Sequence, residues 1–371
     1  MDVDWLTSDE GRCAIAALVG VDPLRARSLL PGVSPEHVSD ALTQARHRPA
    51  DFPLPLVTVD GVQQASPVEV ATRRARRMAE EGVGTVIDAG CGIGLDSWAF
   101  ARAGLRVVAF EVDSPTAAVA RANLAGLDVE VRNADVTTAD LPAGALLYVD
   151  PARRREHRDA QGRPLRIHDP AQWRPAWQWV LDQTPHRSVV ARIRPGHRDL
   201  PAGAEWHCTS VGRRLVDATV WFPPLARVER RATVLAGTEA HELVGVGASP
   251  PVGEVGRCLI DPDPAIVRSG LLDEAAATVS GRLIDEHLAF ITTDAEPAAW
   301  LGRSMAVLGE SSLKAVPAVC RRLGVRSATV WARGFDPAPS ISVPEGRDAV
   351  VVAARLGPGR RAAAWVGRRV H

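Results

Sequence analysis

The chain has 371 residues, of which 46% are hydrophobic, and its 44 basic residues balance its 44 acidic residues to a net charge of zero. This length is enough for about two or three domains that each bury a core. The charge balance argues against a generally basic nucleic-acid-binding protein. Arginine can still be concentrated locally, because it carries almost all of the positive charge and Lys314 is the only lysine.

The cysteines and the amino terminus indicate the compartment. Five cysteines lie far apart without Cys-x-x-Cys spacing, so the sequence predicts neither a disulfide framework nor a zinc site. The first residues lack the basic and apolar regions of a signal peptide, and no apolar run is long enough to span a membrane. We therefore expect a soluble cytoplasmic protein with no metal and no membrane partner.

The first 48 residues predict a helical module. Helical patterns cover Gly11 to Val19, Leu24 to Leu30 and Pro35 to Ala45, and Asp22-Pro23 and Ser34-Pro35 are start signals for the second and third helices. Nothing in this module is typical of a catalytic site. It could be a packing cap, or it could present the substrate.

The next helix carries a cluster of arginines. Ser66-Pro67-Val68-Glu69 matches a capping box with proline at the first helical position, and predicts a helix to about Glu81. Its arginines, which we expect to point outward, form either a solvated face or a phosphate-contacting surface: Arg73, Arg74, Arg76 and Arg77.

The stretch from Thr85 to Gly94 predicts a nucleotide cofactor site. A short apolar strand ends at Asp88 and runs straight into a glycine loop, which an amphipathic helix follows. Gly90, Gly92 and Gly94 can adopt positive φ and leave no side chain between the backbone and a ligand. Tight turns also collect glycines, so the meaning of this pattern depends on the sequence that follows.

Three more carboxylates follow at the ends of predicted parallel strands. Glu111 comes 23 positions after Asp88, where a second strand delivers a carboxylate to ribose hydroxyls. Asp135 follows the third strand, Val129 to Arg132, where it can face an adenine amino group, and Asp150 ends the fourth. Strands and helices alternate through this region as a parallel sheet requires.

These ordered motifs resemble those of class I S-adenosylmethionine-dependent methyltransferases. They are similar in particular to the bacterial group with a THUMP-like carboxyl-terminal domain that is related to trimethylguanosine synthase. In that group a Gln-Ala-Thr segment precedes the glycine loop and Asp-Pro-Ala-Arg-Arg follows strand four. This chain has Gln64-Ala65-Ser66 and Asp150-Pro151-Ala152-Arg153-Arg154.

The resemblance implies S-adenosyl-L-methionine as the cofactor, RNA as the substrate and Gln64 as a lid over the cofactor. The chain departs from the group at Leu95, where glycine is common. The cofactor-binding residues are then expected to be Gln64, Asp88, Gly90, Cys91, Gly92, Glu111 and Asp135.

A nicotinamide dehydrogenase would share the glycine loop and the acid at Glu111. Its fingerprint is Gly-x-Gly-x-x-Gly, whereas here Leu95 stands at the third glycine position and the glycine falls at Gly94. Leu215 to Phe222 and Arg231 to Ala236 also predict an antiparallel hairpin of sixth and seventh strands, which is typical of class I methyltransferases. Both features favour the methyltransferase.

The chemistry is expected at the Asp150 motif, because the carboxyl ends of parallel strands line the ligand crevice. In amino-group methyltransferases, an acid or amide followed by Pro-Pro and an aromatic residue accepts the amine hydrogens, while the ring stacks on the base. The resemblance therefore implies that Asp150 and the Pro151 carbonyl accept. The aromatic residue is missing here, which leaves stacking to Arg153 or Trp173.

An arginine-rich segment follows this motif. We expect the stretch from Arg153 to Arg174 to form a substrate lid, with Arg154 and Trp173 binding the substrate, although a solvated loop remains open. Cys208 does not follow the pattern of uridine carbon-5 methyltransferases, so that chemistry is rejected.

The carboxyl-terminal part predicts a small α+β domain. Gly237 to Pro251 is typical of a linker, and Asp261-Pro262-Asp263-Pro264 starts a helix to about Leu272. A later helix and three strands complete the pattern, and their position resembles that of the THUMP-like domain: Leu313 to Leu323, Ser327 to Arg333, Asp348 to Arg355 and Ala362 to Val366.

The sequence thus predicts an α/β protein with a Rossmann-like class I methyltransferase sheet of seven strands, the last antiparallel. The expected domains are a helical module over 1–48, a catalytic domain over 49–240 and an α+β domain over 241–371. We interpret the chain as a methyltransferase that acts on a nitrogen of an RNA base, with a guanine-type amino group favoured. The alternatives are a small-molecule methyltransferase and a non-catalytic, cofactor-binding RNA scaffold.

Overall fold

The computed structural model describes residues 1–152, 154–158, 164–167, 169–195, 201–336, 339–357, 359 and 361–371, with the backbone alone for 154–158 and 164–166. The chain forms two compact units. The first comprises Met1–Arg194 with Thr219–Ala226, and the second comprises Pro195–Ala218 with Arg227–His371. The domain boundaries expected from the sequence stay a prediction.

The helices of the described residues include three short 3₁₀ segments, at Pro170–Gln172, Ala299–Leu301 and Leu313–Ala315. The α-helices are α1 Val3–Thr7, α2 Asp9–Leu18, α3 Pro23–Leu29, α4 Pro35–His47, α5 Val59–Gln64, α6 Val68–Glu80, α7 Leu95–Arg102, α8 Ser114–Asn123, α9 Trp177–Gln183, α10 Pro264–Ser269, α11 Leu272–Ala277 and α12 Val316–Arg322.

The strands begin at the predicted cofactor motif and continue to the end of the chain. They are β1 Thr85–Ala89, β2 Arg106–Phe110, β3 Val129–Arg132, β4 Leu146–Val149, β5 Arg154–Arg158, β6 Pro164–Arg166, β7 Val189–Arg192, β8 Glu205–Val211, β9 Arg214–Trp221, β10 Arg230–Ala236, β11 Glu239–Gly245, β12 Cys258–Pro262, β13 Arg282–Asp285, β14 Leu288–Thr293, β15 Gly302–Ser311, β16 Ala328–Arg333, β17 Ala349–Leu356 and β18 Arg361–Arg369.

The predicted helices of the first 48 residues are confirmed. The Asp22 carboxylate accepts from the N–H of Leu24 at the start of α3, and the Ser34 hydroxyl oxygen accepts from the N–H of His37 at the start of α4. Both helices carry proline at their beginning, where a missing N–H costs nothing. The helices bury a small apolar cluster of their own, which includes Leu18.

A parallel sheet forms the centre of the first unit. Its strands lie in the order β3-β2-β1-β4-β7, and the end of β9 adds an antiparallel pairing in which Trp221 lies opposite Val190. The sequence pattern predicts these five parallel strands over Thr85 to Asp88, Arg106 to Glu111, Val129 to Arg132, Ala145 to Asp150 and Ser188 to Ile193. The observed strands agree with these bounds to within one residue at each end. Residues of β1 and β4 are buried on both faces, as expected for a sheet covered by helices on either side.

The predicted hairpin of sixth and seventh strands is wrong. The stretch from Arg231 to Ala236 falls in β10, which pairs in parallel with β8 and antiparallel with β11. Strand β8 escaped prediction because polar side chains occupy its buried positions. Glu205, for example, is fully buried and its Oε1 lies 2.9 Å from Nε of Arg231. The expected linker from Gly237 to Pro251 also contains a strand, β11.

The second unit contains a seven-stranded sheet in the order β13-β14-β12-β15-β18-β17-β16. Strands β16 to β18 were predicted, and β12 to β15 were not. The helix expected after Asp261 is shorter than predicted, because β12 runs to Pro262 and α10 begins only at Pro264, capped by Asp263. The sheet curls strongly, since Arg333 on the edge strand β16 pairs with Asp261 on β12.

Among the described residues, no helix is both long enough and apolar enough to cross a membrane. Across the same ranges, no group of three or more His, Cys, Asp and Glu side chains is arranged to hold a metal ion.

Candidate active site

The glycine loop lies at the carboxyl edge of the parallel sheet. The N–H groups of Gly90 and Cys91 both donate to the carbonyl oxygen of Phe110, at 3.0 and 2.9 Å, which ties the loop to the end of β2. The loop needs three backbone turns that only glycine adopts readily, with φ of 88° at Gly90, 55° at Gly92 and 96° at Gly94.

These glycines have two different roles. A Cβ atom at Gly92 would meet nothing within 4 Å, and one at Gly90 would meet only the Asp150 carbonyl oxygen, at 3.7 Å. A Cβ atom at Gly94 would instead lie 2.9 Å from the Leu124 side chain. The first two glycines therefore keep the backbone open toward the sheet edge, whereas the third allows α7 to pack against the end of α8.

Glu111 joins the loop to the second strand. One of its carboxylate oxygens accepts from the N–H of Gly92 at 3.0 Å, and the other accepts from the N–H of Asp113 at 2.9 Å. Asn133, which the sequence reasoning missed, donates to the carbonyl oxygens of Glu111 and Val112 at 2.8 and 3.1 Å. The Glu111 carboxylate is thus held beside the open face of the loop.

Asp135 is exposed at the end of β3. Its Oδ1 accepts from both the backbone N–H and the hydroxyl of Thr137, at 2.8 and 2.7 Å. These two hydrogen bonds hold the pKa of Asp135 below its ordinary value, and the charge of Arg174 adds to the effect. Its expected contact with an adenine amino group stays a prediction.

Asp88 is buried beneath the loop. Only 1% of it is exposed, and the Ser97 hydroxyl donates to its Oδ2 at 2.6 Å. Burial raises the pKa of Asp88 to about 8, and the neighbouring Asp96 carboxylate adds to this shift. Cys91 is also buried, and burial raises the pKa of its thiol well above the ordinary value. The expected cofactor contacts of both side chains stay predictions.

The buried Asp88 should make folding depend on pH. In the unfolded chain its pKa returns to about 3.8, so between about pH 4 and 8 the folded chain binds a proton that the unfolded chain releases. The free energy of unfolding should therefore fall as the pH rises through this window. Asp88→Asn is neutral at every pH, and denaturant unfolding should show its advantage over the wild type growing from pH 4 to 8. Parallel pH profiles would contradict this assignment.

A buried ion pair supports the start of α7 and corrects two predictions. Arg74, expected on the surface, is only 5% exposed and pairs with Asp96. Ser66 is not a helix cap, because its hydroxyl donates to Asp96 Oδ2 at 3.1 Å and α6 begins only at Val68. Asp96 lies in the first turn of α7, whose N-cap residue is Gly94. Amphipathic spacing alone could not show that α6 turns one arginine inward.

Arg74→Leu should lower the free energy of unfolding by about 3 kcal/mol, because it leaves the largely buried Asp96 carboxylate without its guanidinium. Urea unfolding would measure the loss. Arg76→Leu is the matched control, since Arg76 is exposed on the same helix, and it should change the free energy by less than about 0.5 kcal/mol. Equal losses in the two variants would argue against a buried pair.

Asp150 follows β4 at the same edge of the sheet. Its Oδ2 lies 2.8 Å from Nη1 of Arg192, in a pair whose side chains are 25% and 13% exposed respectively. The same Arg192 nitrogen lies 3.4 Å from the carbonyl oxygen of Gln64. Because Arg192 contacts both residues, the Gln64 backbone lies near the predicted catalytic carboxylate. Gln64 itself is exposed at the end of α5. Arg192 was missed, and its place at the carboxyl end of the fifth parallel strand was the available signal.

Two residues, Arg153 and Trp173, were predicted to stack on a substrate. Trp173 is only 2% exposed and its ring packs edge-on against Trp177, so it does not offer a face to a substrate. Its neighbour Arg174 is exposed and forms a backbone bridge with Ala152, next to Pro151. Arg153 lies outside the described residues, and of Arg154 only the backbone, in β5, is described.

Cys208 is an ordinary buried thiol. It lies within β8, and burial raises the pKa of its thiol strongly. A thiol in this state does not act as a nucleophile near neutral pH.

The site thus combines an open glycine backbone, two carboxylates at its rim and a third carboxylate held by a guanidinium. A backbone that no side chain covers and a rim acid suit a nucleoside ligand. A carboxylate held at the adjoining strand end can accept hydrogen bonds from a nucleophile. This arrangement supports binding a nucleotide-like cofactor beside a second, hydrogen-bonding substrate.

Comparisons with known proteins agree with this geometry. No protein-family model matches the chain. It is 32% identical over 260 residues to an uncharacterized S-adenosylmethionine-dependent methyltransferase of Mycobacterium tuberculosis, in strains CDC 1551 / Oshkosh and ATCC 25618 / H37Rv, with 67% of this chain and 68% of the relative covered. A crystal structure of a presumed methyltransferase from Porphyromonas gingivalis W83 matches with a TM-score of 0.72, 16% identity and 97% of each chain covered, which shows a common mixed α/β fold.

Proposed function

Because this chain belongs to the S-adenosylmethionine-dependent methyltransferases, we propose that it methylates a nitrogen of an RNA base, with a guanine-type amino group preferred. The observation that carries this proposal is the Asp150 carboxylate, partly exposed beside the glycine loop and held by Arg192. The order of the parallel strands, with the antiparallel end of β9, supports assigning the sheet to the class I type.

The residues of the loop fit the cofactor. The backbone at Gly90 and Gly92 is open where a Cβ atom would project, so an adenosyl group can approach it closely. Glu111 lies beside this open backbone and is suited to accept from ribose hydroxyls, and Asp135 is suited to accept from the adenine amino group. Bound there, S-adenosylmethionine supplies an electrophilic methyl group on a sulfonium.

Asp150 would orient the nucleophile. Methyl transfer is an in-line displacement, so alignment of the attacking nitrogen contributes most of what the protein can add. The Asp150 carboxylate accepts one amino hydrogen and the Pro151 carbonyl accepts the other, which turns the nitrogen lone pair toward the methyl group. Arg192 holds the carboxylate in one position.

Arg174 supports a nucleic-acid substrate. It is exposed between Ala152 and Asp135, so a planar guanidinium lies at the rim of the site, where it can stack on a base or pair with a phosphate. The arginines of α6 contribute less than the sequence suggested. Arg74 is buried, Arg77 stacks on Trp221, and Arg76 remains exposed.

The substrate class is tested by transfer of radiolabelled methyl from S-adenosylmethionine into total RNA and, separately, into a metabolite extract. We expect label in RNA that nuclease digestion releases as a methylated nucleoside and that Asp150→Ala abolishes. Label in metabolites alone would identify a small-molecule methyltransferase. Cofactor binding with no label in either pool would favour the non-catalytic RNA scaffold. Either of these last two outcomes would reject the proposal that the protein methylates RNA.

A further inference from the structure

The second unit contains a cavity of ≈ 420 Å³ that the methyl-transfer site does not use. Among the described residues, its wall includes Arg333 at the end of β16 and Arg355 near the end of β17. Val267 and Leu288 supply an apolar part of the same wall. The volume falls within the range of small-molecule sites, and a mixed wall of cations and apolar groups suits a ligand with an anionic group and an apolar body.

Both guanidiniums are held in place by aromatic rings. The guanidinium of Arg333 lies 5.3 Å from the ring centroid of Phe290, and that of Arg355 lies 4.8 Å from the ring centroid of Phe335. Arg355 is exposed and Arg333 is half-buried, so both can reach a ligand. Guanidiniums restrained in this way lose less entropy when they bind an anion.

The positive charge of Arg333 is only partly neutralised. Its counter-ion, the buried Asp261, also pairs with Arg303 and lies 3.6 Å from Nη2 of Arg213. Three guanidiniums therefore share one carboxylate. The nearby Asp263 is buried as well, but it accepts from the Ser210 hydroxyl and caps α10. Arg213, Arg303 and Arg333 carry three positive charges, whereas Asp261 and Asp263 carry two negative charges at most. This cluster therefore keeps an excess of positive charge.

The carboxylate of the cavity itself is already engaged. Oδ1 of Asp285 accepts from the N–H of His287 at 2.8 Å, and Oδ2 accepts from the N–H of Gly357 at 2.6 Å. These bonds fix the turn at the cavity rim. Within the part of the chain that the structure describes, Arg355 has the Phe335 ring rather than a carboxylate as its partner. An anion that enters the cavity would find two guanidiniums and little competition from Asp285.

We propose that this cavity binds the phosphate group of a phosphorylated ligand of mononucleotide size. Arg355 holds the phosphate oxygens, because a guanidinium matches phosphate geometry with two parallel hydrogen bonds. Arg333, whose Nε and Nη2 already donate to Asp261, adds its positive charge to the wall. The apolar part of the wall receives the rest of the ligand. None of the lining residues belongs to the proposed methyl-transfer site, so binding rather than activity tests this proposal.

The test measures binding of uridine monophosphate and of uridine to the full chain by calorimetry, with saturating S-adenosylhomocysteine to occupy the cofactor site. We expect the monophosphate to bind and uridine to bind at least about tenfold more weakly, since charge-assisted bonds to phosphate supply most of the affinity. Arg355→Gln should weaken binding of the monophosphate about tenfold or more, and Arg355→Lys should weaken it by less.

Arg347→Gln is the matched control. Arg347 is exposed before the start of β17, about 20 Å or more along the strand from Arg355, and its replacement should leave binding unchanged. Thermal unfolding of each variant verifies that the fold persists, which is expected because both arginines are exposed. Equal binding of uridine and its monophosphate, unchanged binding in a folded Arg355→Gln variant, or no binding by the wild type would each overturn the proposal.

Competition identifies the source of the phosphate. Displacement of the monophosphate by inorganic phosphate, but not by a short RNA hairpin, would assign the cavity to a small phosphorylated molecule. Displacement by the hairpin that is lost in Arg355→Gln would assign it to an RNA phosphate. Both results support a phosphate site.

Discussion

Replacing Asp150 by alanine should lower kcat for methyl transfer by about a hundredfold or more and leave S-adenosylmethionine affinity nearly unchanged. The carboxylate lies at a strand end beside the glycine loop and pairs with Arg192. An acceptor that orients the nucleophile acts chiefly in the transition state, where losing one such group typically costs two to three orders of magnitude, roughly 10²–10³. Asp150→Asn keeps one acceptor oxygen and should lose only about tenfold.

Steady-state kinetics and cofactor titration together test this prediction. Asp128→Ala is the control, because Asp128 is an exposed acid immediately before β3, at the opposite end of the sheet. It should retain wild-type kcat and cofactor affinity. A kcat for Asp150→Ala within about twofold of the wild type would remove Asp150 from the mechanism, because losing a transition-state acceptor lowers kcat far more than that.

Replacing Glu111 by alanine should raise the Kd for S-adenosylmethionine by about 10- to 100-fold. Its carboxylate orders the loop through the N–H groups of Gly92 and Asp113. It is also the group expected to accept from the ribose, and hydrogen bonds to a charged acceptor contribute about 1.5–3 kcal/mol. At saturating cofactor, kcat should fall much less, because the loss concerns binding in the ground state and in the transition state alike.

Equilibrium dialysis or calorimetry with S-adenosylhomocysteine would measure this loss. Glu130→Ala provides the comparison, because Glu130 is exposed on β3 and its carboxylate pairs with Arg132. It should bind the cofactor as the wild type does. If Glu111→Ala bound equally well, the second strand end would have no part in the cofactor site.

The core of the first unit could be read from the sequence because its signals are local. Strands β1, β2 and β4 are nearly continuous apolar runs, and burial on both faces of a parallel sheet requires such runs. Each run ends at or next to a carboxylate, and the glycines at positions 90, 92 and 94 all adopt positive φ. Neighbouring residues alone determine these features.

Features that depend on a distant partner escaped prediction. Strand β8 buries Glu205, which no pattern marks as an interior residue until Arg231 is placed beside it. Trp173 was expected to stack on a substrate, but an aromatic ring is equally suited to the core, and here it packs on Trp177. The strands β12 to β15 form an antiparallel sheet whose register depends on pairings far along the chain.

The sequence by itself determined the parallel strands, the glycine loop and the series of strand-end acids, because short-range periodicity and backbone freedom specify them. Tertiary structure alone decided which charges face inward. Only there does Arg74 meet Asp96, Arg192 meet Asp150, and Asp261 meet three arginines. A charged side chain is buried only where a partner offsets its loss of hydration, and that partner comes from another part of the chain.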